Sequence, residues 1–303
     1  MLDAFLTSSI AMATPILLAA LGELLVEEAG VINIGIEGAM LCSAFFAMVG
    51  AYFTGSTLFG VVTGIAAGVV INAILALLVV NLSVNQVVAG TALDILAIGI
   101  TGVFYRKFFG ITGMSFMVKP IARLSFGPFT RIPILGATLF NHNAFVYFAF
   151  MIVPVIRFAL WSTRYGLILR AAGERPEAAD ALGFGVYRLR WHALVASGAL
   201  TGLAGAYLTL AYANTFVENI SGGRGYVALA VVILGRWNPW GIAAASVLFG
   251  AAMALQFGLQ ALGTSVPYQL FLALPYALTL IVLAGFGGQA AAPSALGEPY
   301  RRA

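Results

Sequence analysis

The chain has 303 residues, 61% of them hydrophobic and only 9% charged, with a net charge of +4 and a mean hydropathy of +1.00. That apolar share is well above a soluble domain's, and the long apolar runs exclude a closed β-barrel, whose segments are short and alternating. They fit an all-α polytopic bundle, one transmembrane domain over 1–303, built on runs of about 20 apolar residues. The small excess of positive charge is spread through loops, and no nucleic-acid partner is expected.

The first apolar run follows Asp3, with no Lys or Arg before Leu6. A signal peptide needs a basic leading region, so 5–25 reads as the first membrane helix. Further spans are expected over 31–52, 57–80, 86–104, 143–161, 191–213, 241–260 and 266–286. A piece at 226–235 is too short to cross at 1.5 Å per residue and reads as half of a broken helix. With such half-length pieces, about 8–10 membrane segments are expected.

Gly60, Gly64 and Gly68 lie on one helix face, as do Gly198 and Gly202. Faces of this kind let helix backbones approach closely, within one subunit or between two. Cys42 is the only cysteine, so no internal disulfide is possible. His142 and His192, the only histidines, fall in or beside loops and offer no partner for a catalytic thiol. Trp237 and Trp240 bracket Asn238 and Pro239 and read as an interfacial belt. Phe45, Phe46 and Tyr52 read as packing aromatics, with base stacking as the alternative.

Glu37 and Asp94 lie within apolar runs, where a charge costs at least ~2.5–3.5 kcal/mol on insertion scales. Such groups face the bundle interior or a water-filled path. Asn33, Asn85 and Gln86 join them as candidate substrate-path residues. Asn72, Asn214, Glu218, Gln256 and Gln260 are further polar groups near helix ends or interiors. Interhelical bonding that only holds the bundle is the alternative for each. Two glycine-rich breaks, 34–38 and 221–225, are candidates to line the path, because non-helical backbone at membrane depth must be buried in protein or line a cavity. A membrane-surface loop is the alternative for the second.

The stretch RYGLILRAAGERPEAADALGFGVYRLR, residues 164–190, is the densest cluster of charge in the chain. Pro176 suits the first turn of a helix, Glu177 and Asp180 complement the helix dipole, and Gly183 can end the helix in the left-handed conformation. The pattern predicts a helix of about seven residues, near ~10 Å long. It would lie outside the bilayer and dock a soluble partner through Ala178, Ala179 and Leu182. With this loop cytoplasmic, nine Lys/Arg side chains lie inside and six outside. The segment 105–142 is then a long external loop, acid-free and carrying Arg106, Lys107, Lys119, Arg123 and Arg131.

Glu177-Ala178-Ala179 followed by Gly183 resembles the EAA loop of ATP-binding cassette importer permeases. The I-x-L-P that often follows is absent, and the chain runs FGVYRLRWHAL instead, which points away from maltose-type permeases. GVINIGIEGAML (30–41), NQVVAGTALDILAIGI (85–100), TRYGLILRAAGERPEAADALGFGV (163–186) and GGRGYVALAVVILGRWNPWG (222–241) are similar to the simple-sugar and nucleoside permeases of bacteria. The likeness covers about residues 15–260. Where ribose permeases tend to carry a glycine-aspartate-leucine-serine motif, this chain has Asn33 to Gly38, which points to the nucleoside branch and its shorter permease subunit.

The resemblance implies a non-catalytic permease subunit of the bacterial cytoplasmic membrane. Glu174, Glu177, Ala178, Ala179 and Gly183 would couple it to a separate ATP-binding subunit. The chain has no G-x-x-x-x-G-K-[ST] loop, so no bound cofactor is expected and ATP would be used by the partner. A second permease subunit, identical or different, an extracytoplasmic solute-binding protein and membrane lipid complete the expected partners. Within the family, branched-chain amino-acid or ribose import is the alternative. Outside it, the alternative is an ion-coupled transporter with Glu37 and Asp94 as a proton relay.

Overall fold

Apolar runs become helices because a helix satisfies its own backbone where water cannot. A computed structural model describes residues 2–110, 117–125, 135–261, 269, 270, 273, 277, 280 and 292–300; the span expected over 266–286 lies mostly outside them. The order is α1 (Leu2–Glu27), α2 (Ile36–Thr54), α3 (Thr57–Ala76), α4 (Gln86–Phe109), β1 (Arg123–Ser125), α5 (Leu135–Phe140), β2 (Asn141–Asn143), α6 (Ala144–Ser162), α7 (Arg164–Glu174), α8 (Pro176–Ala181), α9 (Val186–Tyr207), α10 (Arg224–Leu234) and α11 (Pro239–Ala261). Single π-helical turns, Leu77–Asn81 and Leu208–Tyr212, extend α3 and α9. Among the described residues seven helices are long and apolar enough to cross a membrane, and α10 is a shorter apolar helix. The expected all-α polytopic bundle is what forms.

Three boundaries differ from expectation by about five residues: α2 begins at Ile36 and not at 31, and α9 and α4 differ as well. α9 begins at Val186, so Arg188 and Arg190 lie in its first turns, not in a loop. α4 continues to Phe109 and carries Arg106 and Lys107 in its last turn, where cations favour the helix dipole. The segment expected as one long loop over 105–142 is therefore shorter, and part of it is ordered as the antiparallel pair β1–β2, with Leu124 opposite His142.

α1, α2 and α9 form the centre, with Ile16, Leu17, Leu21, Met40 and Leu194 fully buried. α3, α4 and α6 wrap them and turn apolar residues outward, as Leu58 (75% exposed), Ile95 (72%) and Met151 (66%) show; these faces suit lipid. The glycine faces pack on one another inside the chain. A Cβ on Gly202 would fall 2.6 Å from Ile65 Cα, and one on Gly198 would fall 2.7 Å from the Gly68 carbonyl oxygen. So α3 meets α9 backbone to backbone.

The bundle has two distinct ends. At one, the end of α7 packs against the turn after α1 and against residues 292–300, with α8 beside it. At the other, the Thr57 hydroxyl donates to the Lys119 carbonyl at 3.4 Å, and the Val118 N–H donates to the Asn214 carbonyl at 3.0 Å. α6 connects the two ends.

Candidate functional site

α2 and α10 both start at glycine-rich breaks. A helix start leaves backbone N–H groups without partners, and here carboxylates from other segments supply them. Glu37 accepts the Gly223 N–H on Oε1 at 2.8 Å and the Gly225 N–H on Oε2 at 2.6 Å. Asp94, on α4, accepts the Gly38 N–H on Oδ1 and the Tyr226 hydroxyl on Oδ2, each at 2.6 Å. Both acids are buried, at 6% and 4% exposure, and each faces the positive end of a helix. Only glycine fits at the junction: a Cβ on Gly225 would lie 2.6 Å from Glu37 Cα.

A second polar group holds the unwound linker between α1 and α2. The Asn33 N–H donates to Glu23 Oε1 at 2.9 Å, and its side-chain amide donates to Asn72 Oδ1 at 2.7 Å. The Ile32 N–H donates to Gln86 Oε1 at 2.7 Å. Glu23 Oε2, Asn33 Oδ1 and Gln86 Nε2 are buried without a protein partner. Asn85 stands apart: it is exposed and caps α4, accepting the N–H groups of Val87 and Val88 at 3.0 and 3.1 Å. Of the five path candidates, then, Glu37 and Asp94 share one network, Asn33 and Gln86 hold the linker, and Asn85 belongs to neither.

Sequence reasoning passed over Glu23, Glu27 and Tyr226. Glu23 carried the same signal as Glu37, an acid in an apolar run; Tyr226 carried none. Trp237 is not an interfacial residue. It is 8% exposed, and its indole N–H donates to Glu27 Oε2 at 2.6 Å, because a buried indole needs an acceptor. Trp240, by contrast, is 57% exposed. Phe45 packs edge-on against Phe216, with ring centroids 5.3 Å apart.

At the other functional feature, α8 has Pro176 at its first position. It ends at Gly183, whose φ of +86° is the left-handed conformation, with the Phe184 N–H closing back on the Ala179 carbonyl at 3.1 Å. The expected contact face divides. Ala179 is 1% exposed and packs inward, whereas Leu182 is 76% exposed and Ala178 is exposed as well. The preceding helix α7 was not anticipated. Between α7 and α8 lies a groove of about 520 Å³ lined by Leu167, Ile168, Ala171, Ala178, Leu182 and Phe184, with Glu174 and Arg175 also on its wall. Glu177 and Gly183 are exposed beside it.

At the opposite end, Arg106 is not a bare cation: it pairs with Glu218 at 3.0 Å, and the guanidinium holds the Glu218 carboxyl below its ordinary range. Arg131 lies outside the described residues. His142 is pushed down by burial; one ring nitrogen sits 2.8 Å from the Thr138 carbonyl oxygen. Among the described residues no His, Cys, Asp and Glu group is placed to hold a metal.

A family model described as the permease component of branched-chain amino acid transport systems matches residues 5–283. The putative glucose ABC transporter permease protein TsgC13 of Haloferax volcanii is 38% identical over 85% of this chain and 78% of its own length. The guanosine ABC transporter permease protein NupQ of Bacillus subtilis is 32% identical over 99% and 97%. The nucleoside ABC transporter permease protein NupC of Lactococcus lactis is 34% identical over 95% and 93%. A solved inward-facing conformation of a putative metal-chelate type ABC transporter shares the fold, with a TM-score of 0.53 at 16% identity over 93% of this chain and 85% of that one. Seven membrane-length helices among the described residues and a family match over nearly the whole sequence make the chain a multi-pass membrane permease of the ATP-binding cassette transporter family.

Proposed function

We propose that the chain is the shorter permease subunit of an importer that moves nucleosides into the cell by alternating access. The observation that carries the docking part is the apolar groove between α7 and α8. Leu167, Leu182 and Phe184 are 61%, 76% and 38% exposed there, at the end of the bundle that carries the charged island. An apolar patch rimmed by Glu174 and Arg175 outside the lipid-facing helices marks a protein contact. The partner is a separate ATP-hydrolysing subunit, and this end is cytoplasmic. A second permease and an extracytoplasmic binding protein complete the importer.

The nucleoside assignment rests on the two relatives named for guanosine and nucleoside transport, whose length the chain matches almost end to end. A sugar substrate is the second reading, favoured by the glucose permease relative. In either case Glu37 and Asp94 shape the path by fixing the starts of α10 and α2. The Tyr226 hydroxyl, on a residue 46% exposed, is the group of that network best placed to meet a substrate hydroxyl or base edge. ATP-driven closure of the ATPases would push α8 and move the path between faces.

The experiment replaces Glu177 by Lys and Gly183 by Val in proteoliposomes carrying the full importer. Valine at a φ of +86° is strained, and the inverted charge faces the partner. Substrate-stimulated ATP hydrolysis should fall sharply; unchanged stimulation with normal assembly would sink the docking assignment. Uptake of labelled guanosine set against labelled glucose decides the substrate.

A further inference from the structure

Residues 292–300 cross the α8 end of the bundle and fasten three elements together. Ser294 donates to Glu174 Oε2 through its hydroxyl at 2.7 Å and its N–H at 3.2 Å. The Ala295 N–H donates to the Gly173 carbonyl at 2.9 Å, and the Gly297 N–H to the Gly30 carbonyl at 3.3 Å. The Tyr187 hydroxyl donates to the Tyr300 carbonyl at 3.2 Å. Gly173 and Glu174 close α7, next to the docking helix. Gly30 opens the linker that leads to Asn33 and Glu37. Tyr187 begins α9.

Arg190 locks this strap. Its side chain is 2% exposed. Nε donates to the Ala29 carbonyl at 3.2 Å, and Nη1 donates to the Glu298 carbonyl at 3.0 Å. Nη2 is buried without a partner. Among the described residues no carboxylate lies within ion-pair distance. A buried cation is costly unless compensated; here the Glu298 carboxylate acts on it through space, and carbonyl dipoles bond it, one of them just past the end of α1, where the helix dipole favours positive charge. The planar guanidinium reaches two carbonyls on separate segments at once. The packing leaves little slack, since a Cβ on Gly30 would lie 3.0 Å from Arg190 Nη2 and one on Gly173 would lie 3.0 Å from the Gly30 nitrogen.

We propose that the 292–300 strap, locked by Arg190, makes the docking pair α7–α8 and the linker 28–35 move as one body, so that a push on α8 is delivered to the Glu37 cap on α10. Coupling between distant sites needs packed, bonded elements, and the series α8, α7, strap, linker, Glu37 is continuous. Arg190 is thus a positioning residue. The inference rests on the import reading above and is independent of the substrate.

The test measures labelled guanosine, or labelled glucose if that is what the wild-type complex takes up, moved per ATP hydrolysed in proteoliposomes holding the complete importer, for Arg190→Gln, Arg190→Lys and Ser294→Asp. Ser294 is exposed, so Ser294→Asp sets a second carboxylate against Glu174 with little threat to folding. Both Arg190→Gln and Ser294→Asp should lower the ratio by about fivefold or more, the low end of ordinary coupling effects. Basal ATP hydrolysis and the amount of ATPase that co-purifies should stay unchanged, and Arg190→Lys should fall between. An unchanged ratio in Ser294→Asp overturns the proposal, whether or not the Arg190 variants assemble. So does a loss of uptake that merely tracks loss of assembled complex. A wild-type complex whose ATP hydrolysis ignores substrate refutes the import reading instead, so the two failures are distinguishable.

Discussion

The N–H of Gly225 donates to Glu37 Oε2 at 2.6 Å across 188 positions of sequence. The other oxygen of the same carboxylate takes the Gly223 N–H, so the first turn of α10 is capped by an acid from the first turn of α2. A carboxylate that accepts two N–H groups serves as an anchor. This bears on the proton-relay alternative, because both oxygens of Glu37 are already engaged by backbone N–H groups.

Glu37→Gln keeps the size of the side chain but leaves one oxygen for two donors and turns an NH₂ toward an N–H. Leaving a buried donor unsatisfied costs about 1–3 kcal/mol. The thermal midpoint of the detergent-solubilised protein should drop, and uptake should fall with the ATPase still bound. A midpoint and uptake equal to wild type would show that the cap is dispensable.

Asp94 and Tyr226 form a separable pair. Tyr226→Phe removes one hydrogen bond on a half-exposed residue, worth about 1 kcal/mol. Asp94→Asn also weakens the hold on Gly38. A double-mutant cycle on stability should return a coupling of roughly 0.5–3 kcal/mol, the range for residues in contact. Strict additivity would mean that the bond contributes nothing.

Glu28 provides a pH dependence at the α8 end. Burial raises its carboxyl from 4.5 to about 7, with Arg170 opposing and Glu174 adding to the rise. The folded state then holds a proton that the unfolded chain has already released between these values. Stability therefore falls as pH climbs through that window, and above about 7 the buried charge is carried at full cost. Glu28→Gln should raise the thermal midpoint at pH 8, by at most about 3 kcal/mol in stability, and leave it nearly unchanged near pH 4.5. Parallel pH profiles for wild type and variant would rule this out.

Topology is testable with single cysteines in a Cys42→Ser background. Lys119→Cys, exposed at the hairpin end, should react with an impermeant thiol reagent in intact cells once any outer membrane is made permeable. Ala178→Cys, exposed on α8, should react only after the inner membrane is opened. The reverse pattern would invert the orientation and remove the ATPase from the α7–α8 groove.

The membrane helices were legible in the sequence because a helix in lipid must satisfy its own backbone, a condition met residue by residue along the run. The short helix α8 was legible for the same reason. Pro176 starts it and Gly183 ends it, and both signals are local. An acid within an apolar run announced that Glu37 needed a partner, but not which one. Only the tertiary structure decided that, because the partners of Glu37 and Asp94 lie up to 188 and 132 positions away and are set by how α2, α4 and α10 pack. The same holds for Arg190, which a charge-rich stretch placed in a loop and which the structure buries. Its position depends on carbonyls from two other segments, brought to it by the packing of α1, α9 and the strap.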